Sequence, residues 1–93
     1  MNSLTNKIFT RSESVLVQPL ESGLAIISSV TDKIIILNVT GTAIWNLFDG
    51  SASCSEIVTK VAFQFSTPTD QIMEEVYALI EGLELKNLIL EKT

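Results

Sequence analysis

Ninety-three residues, 46% of them hydrophobic, suffice for one small domain with a single modest core. The lack of histidine, with only one cysteine (Cys54), excludes a His-ligated zinc site, Cys–His and Ser–His nucleophile pairs, and an internal disulfide. The net charge of −5 falls entirely on residues 49–93, the wrong sign for a nucleic-acid face, and no apolar run approaches the ~18–20 residues that cross a bilayer.

Residues 1–13 lack periodicity and read as a loose, flexible arm, with Lys7 and Arg11 solvated; the domain proper is expected over 14–91. The stretch Met1–Lys7 is polar and has no signal-peptide core, so a cytoplasmic location is the expectation. Val15–Pro19 alternates weakly and reads as a short strand, with Pro19 at its end or on an edge. Glu21-Ser22-Gly23 is a turn signal, and Leu24–Val30 is an apolar, β-branched second strand. Thr31-Asp32-Lys33 suits a hairpin turn into a third strand, Ile34-Ile35-Ile36-Leu37.

The second half switches to a helical period. Asn38 is placed to cap a first helix over Val39–Phe48, with Trp45 as a packing anchor and Gly50 as the left-handed residue past its end. Gly41, unusual inside a helix, suggests close approach of another backbone. Ser53 and Glu56 form a capping box for a second helix, whose apolar face runs Cys54, Ile57, Val58, Val61, Ala62 and Phe65. On that face Cys54 reads as an inert buried thiol. Thr67 and Pro68 open a third helix as N-cap and first residue, running to about Lys86, with Asn87 as a stop. Leu88-Ile89-Leu90 packs back or ends extended. The expected fold is therefore α+β and winged-helix-like: a three-stranded antiparallel sheet followed by three helices.

Two features suggest where a partner sits. The third strand does not alternate, so both its faces are apolar. It is either central and covered on both sides, or an edge that something else covers. An added peptide strand would satisfy such an edge. On the third helix, Ile72, Val76, Leu79 and Leu83 form one stripe, read as core. Met73, Tyr77, Ile80 and Glu84 form a second, about 100° away. This second stripe either widens the buried face or lines a groove, a role that suits adaptable Met and Tyr. Asp70 and Glu74 complement the helix dipole. Glu75 reads as solvated, whereas Glu81 and Glu84 are placed to attract a basic partner.

The pattern Leu37-Asn38-x-Thr40-Gly41-x-x-Ile44-Trp45-x-Leu47-x-Asp49-Gly50 resembles the signature of the coenzyme PQQ synthesis protein D family. Glu56-Ile57-Val58, Phe65, the proline-bearing turn, Val76, Leu79, Leu83 and Leu88-Ile89 continue the likeness over about residues 15–90. Helix one lacks charge between Val39 and Asn46, and Ser51-Ala52 stands where many members carry a charged turn.

The resemblance implies a stand-alone recognition element for ribosomally synthesised, post-translationally modified peptides. Such a domain is a non-catalytic adaptor, without metal or cofactor, that binds the leader of a precursor peptide and delivers it to a maturation enzyme. That enzyme would be a protease or cyclase of a lasso-type pathway, or a radical enzyme of a PQQ-type pathway. The leader would add to the third strand and pack on the third helix. Carried onto this chain, that places Ile34, Ile35, Ile36, Leu37, Met73, Tyr77 and Ile80 in the site, to which the reading of the residues themselves adds Glu74, Glu81 and Glu84. No nucleic acid or membrane is expected as partner. The alternative, a winged-helix DNA-binding transcription regulator, requires a basic recognition helix, and the third helix here is acidic.

Overall fold

Phe9, expected in a loose arm, is 1% exposed and sits at the centre of the fold. The computed structural model describes residues 4–92. Within these, β1 (Ile8–Arg11) is the middle strand of an antiparallel sheet, between β5 (Asp49–Ser53) and β6 (Ile89–Glu91). Further backbone bonds clamp the segment, with Cys54 N donating to Lys7 O at 3.0 Å and Lys92 N to Ile8 O at 2.8 Å. The ring of Phe9 meets that of Phe48 edge-on, with centroids 6.3 Å apart. The arm is therefore not loose over residues 4–11: its backbone groups pair with strands from the middle and the far end of the chain. Lys7 is likewise engaged, 3.2 Å from Glu91. The part of the expected arm at residues 1–3 lies outside the described residues.

The second sheet is the one the sequence announces. β2 (Val15–Leu20), β3 (Gly23–Ser28) and β4 (Ile34–Leu37) pair antiparallel in the order β2-β3-β4. Pro19 lies on the edge strand β2, where a missing N–H is tolerated. Asp32 takes the left-handed φ of 60° that the β3–β4 turn requires. Three helices follow: α1 (Val39–Asn46), α2 (Cys54–Gln64) and α3 (Thr69–Leu85). The α+β, winged-helix-like order of three strands and then three helices holds, with the β5-β1-β6 sheet added to it.

Helix ends show the local chemistry. Asn38 Oδ1 accepts from Gly41 N at 2.8 Å, so the expected cap of α1 forms. The nearest neighbours of Gly41 are the side chains of Leu37 and Asn38, not another backbone. Gly50 is left-handed, with φ 82°, yet it lies within β5; α1 has already ended, with Leu47 as its right-handed cap. The capping box of α2 is complete: Glu56 N donates to Ser53 Oγ at 3.2 Å and Ser53 N to Glu56 Oε1 at 2.9 Å. The Ser53 backbone bond, with the Ser53 side chain behind it, holds the Glu56 carboxyl below the usual carboxylate range. For α3 the cap is Pro68, one residue later than expected. The Thr67 hydroxyl is diverted to Phe65 O at 3.0 Å, so it does not cap the new helix.

The core gathers Phe9, Ile26, Ile44, Trp45, Phe48, Ile57, Val61, Ile72, Val76, Ile80 and Leu83 from both sheets and all three helices. Cys54 is fully buried, and desolvation pushes its thiol up to about 11, as expected of an inert core cysteine. Among the described residues, no helix is long and apolar enough to cross a membrane, and no group of His, Cys, Asp and Glu is placed to hold a metal ion.

Candidate functional site

β4 is an edge strand, paired to β3 on one side only. Ser28 N donates to Lys33 O at 2.9 Å, and the register then pairs Ile26 with Ile35 and Leu24 with Leu37. In an antiparallel ladder, alternate residues bond to the partner strand and the residues between them point their N–H and C=O away. Ile35 and Leu37 thus bond to β3, while the backbone groups of Ile34 and Ile36 face outward. The bond from Ser29 N to Ser14 O, on the other side of β3, fits the same alternation. The side chains divide likewise. Leu37 is buried in the core and Ile35 is half-buried, whereas Ile34 and Ile36 are 57% and 63% exposed on the outer face. The edge carries no proline, charge or bulge to block pairing.

Beside this edge runs a groove of about 630 Å³. Ile36, Leu37 and Asn38 form one wall, Gly41 and Ile44 of α1 line it further in, Leu20 and Ser22 of the β2–β3 turn close one part of it, and Glu75, Ala78 and Leu79 of α3 form the opposite wall. The surface is mostly apolar, with one charged side chain, Glu75. An extended peptide beside β4 would present alternate side chains to this groove and to the outer face of the sheet.

The expected site residues separate accordingly. Ile36 and Leu37 line the groove, and Ile34 and Ile35 continue the same strand. The expected α3 residues do not reach the groove. Ile80 is 0% exposed and belongs to the core. The Tyr77 hydroxyl lies 3.4 Å from Thr5 Oγ1, on the flank of α3 that meets the N-terminal segment. Leu79 is about 160° around the helix from Tyr77 at 100° per residue, and Glu75 is equally far from Met73. Met73 and Glu84 share the Tyr77 flank, while Glu74 and Glu81 point to solvent between the two flanks. The groove-side stripe is Glu75, Ala78 and Leu79, at i, i+3 and i+4. That spacing is present in the sequence, but Leu79 was expected in the core, and periodicity does not say which flank of a helix faces the sheet.

The family model for coenzyme PQQ synthesis protein D (PqqD) matches residues 14–89, most of the chain. The chain belongs to the PqqD family. A curated relative, the PqqA binding protein of Gluconobacter oxydans (strain 621H), is 33% identical over 58 residues. The match spans 62% of this chain and 60% of that protein. Among solved structures, TbiB1 in complex with the TbiA(beta) leader peptide superposes with a TM-score of 0.74. It covers 86% of this chain and 93% of its own at 19% identity, a likeness of fold. The shared fold takes in the β2-β3-β4 sheet and the three helices.

Proposed function

We propose that the chain is a non-catalytic adaptor that binds the leader of a ribosomally made precursor peptide and delivers it to a modifying enzyme in the cytoplasm. The leader adds as a strand to β4 and lays alternate side chains against Glu75, Ala78 and Leu79 of α3. The observation that carries this reading is the unprotected apolar edge at Ile34 and Ile36 beside an apolar groove. Membership of the PqqD family supports it, as do a relative named for binding PqqA and a fold neighbour solved with a leader peptide. Holding the leader raises the effective concentration of the precursor at the enzyme. A protease and cyclase of a lasso-type pathway, or a radical enzyme, are the partners this role serves. A precursor reading frame beside the gene, and the enzymes next to it, would identify the pathway.

Binding is tested by fluorescence polarisation with the leader of that neighbouring precursor. Ile36→Asp places a carboxylate where an apolar strand must pack, and is expected to weaken binding by about 100-fold, or ~2.7 kcal/mol. Ile36 is 63% exposed, so the domain stays folded. Ile36→Pro removes an outward N–H that β3 does not use, and is expected to abolish binding as well. Unchanged affinity in both variants rules out strand addition at β4.

Glu81 and Glu84 lie away from the groove, and in this reading they act through their field, drawing in a basic leader. Stopped-flow mixing at low salt is expected to show slower association for E81K/E84K, with the difference vanishing as salt rises. An association rate equal to wild type at low salt would remove steering from the account.

A further inference from the structure

Glu75 is the one charged side chain in a groove lined mainly by Leu20, Ile36, Leu37, Ile44, Ala78 and Leu79, with Ser22, Asn38 and Gly41 beside them. It is exposed, and no cation among the described residues forms an ion pair with it. Its neighbours along α3 are Gln71 four residues before and Leu79 four residues after, so no helical ion pair is available. It stands beyond the first turn of α3, too far along to serve the helix dipole. The chain has no basic residue between Lys60 and Lys86, and the same span holds Asp70, Glu74, Glu75, Glu81 and Glu84. The polar groups nearby are neutral: Asn38 Oδ1 is committed to Gly41 N at 2.8 Å, and Ser22 is a turn hydroxyl. A wholly apolar peptide laid here would strip water from a carboxylate and return nothing. A cationic side chain would return a charge-assisted hydrogen bond.

We infer that Glu75 sets the specificity of the groove, selecting a peptide with a lysine or arginine at a groove-facing position. This rests on the strand-addition reading. Because a strand presents every second residue to one face, the cation falls an even number of residues from the apolar side chain that packs between Leu37 and Leu79.

The test is a selection from a random linear peptide library against wild type, with Ile36→Asp as counter-selection, repeated on Glu75→Lys. Peptides that bind wild type and not Ile36→Asp are expected to share apolar residues at alternate positions and a lysine or arginine in fixed register with them. Selection on Glu75→Lys is expected to return aspartate or glutamate in that register. A double-mutant cycle between Glu75→Gln and neutralisation of the cation in the best peptide is expected to give a coupling of about two- to fivefold at physiological salt, the range of a solvent-exposed pair. Peptides that depend on Ile36 yet show no charge in fixed register overturn the role of Glu75 and leave strand addition standing. If no peptide distinguishes wild type from Ile36→Asp, the strand-addition reading fails and the role of Glu75 fails with it.

Discussion

Phe9→Ala is expected to destabilise the domain by about 3–5 kcal/mol, the usual cost of emptying a buried phenylalanine site. Phe9 is 1% exposed and packs edge-on against Phe48, itself 0% exposed. Its strand holds β5 and β6 together, so the site has little freedom to collapse. Against a total stability of about 5–15 kcal/mol, a loss of this size removes a large part of the margin. With a urea m-value near 1–2 kcal/mol/M for a domain this small, the unfolding midpoint falls by about 2–3 M. Phe63→Ala is the control. Phe63 is 87% exposed, and its loss is expected to move stability by less than about 0.5 kcal/mol. Equal midpoints for Phe9→Ala and wild type would mean that the N-terminal segment is an arm after all and β1 contributes nothing.

That segment also shows what the sequence could and could not reveal. β2, β3 and β4 were legible because each pairs with its neighbour in the chain through a turn whose residues advertise it: Glu21-Ser22-Gly23, then Thr31-Asp32-Lys33. β1 is four residues long and its partners are β5 and β6, from the middle and the far end of the chain. Four residues carry too little alternation to be read alone, and nothing local marks a pairing closed across such separations. β5 was hidden for a related reason. Its sequence, Asp-Gly-Ser-Ala-Ser, reads as a turn, and Asp49 does fold back to accept from Ser51 N at 2.9 Å. The Ser53 capping box was legible because it is complete within four residues.

The candidate site was half legible. A strand of four apolar residues with no alternation is either a covered central strand or an edge, and the structure makes it an edge with Ile34 and Ile36 exposed. The α3 half was not. Two stripes one residue apart are both apolar enough to be core, and the choice between them depends on which way the helix rolls against α1 and α2. The roll buries Ile80 and leaves Leu79 half-buried in the groove, the reverse of the simplest assignment. Tyr77 then turns to Thr5, a neighbour supplied by the N-terminal segment that the sequence did not place. Misreading β1 and misplacing the groove wall thus share a cause: both depend on packing between segments distant in the chain, which no local pattern records.

Gly23→Ala is expected to cost about 3 kcal/mol, and to weaken binding as well. A methyl group at Gly23 would overlap the carbonyl oxygen of Leu37 and lie 2.9 Å from its carbonyl carbon. The obstruction is backbone, so no side chain can swing aside. Relief requires moving β3 away from β4 at the Leu24–Leu37 pair, where the ladder is anchored. It would also shift Leu20 and Ser22, which close one part of the groove, relative to Leu37 and Asn38. The two effects have one cause, so they should appear together: a lower urea midpoint, and a lower affinity for the leader measured where the variant is still folded. Gly82→Ala separates this from any general penalty of adding a methyl group. Gly82 is inside α3 with nothing within 4 Å of an added Cβ, so alanine there is expected to stabilise by about 1 kcal/mol. Opposite signs at Gly23 and Gly82 would tie the cost at Gly23 to the contact with Leu37. The same small change at both sites would mean that β3 and β4 are not held at the separation that shapes the groove.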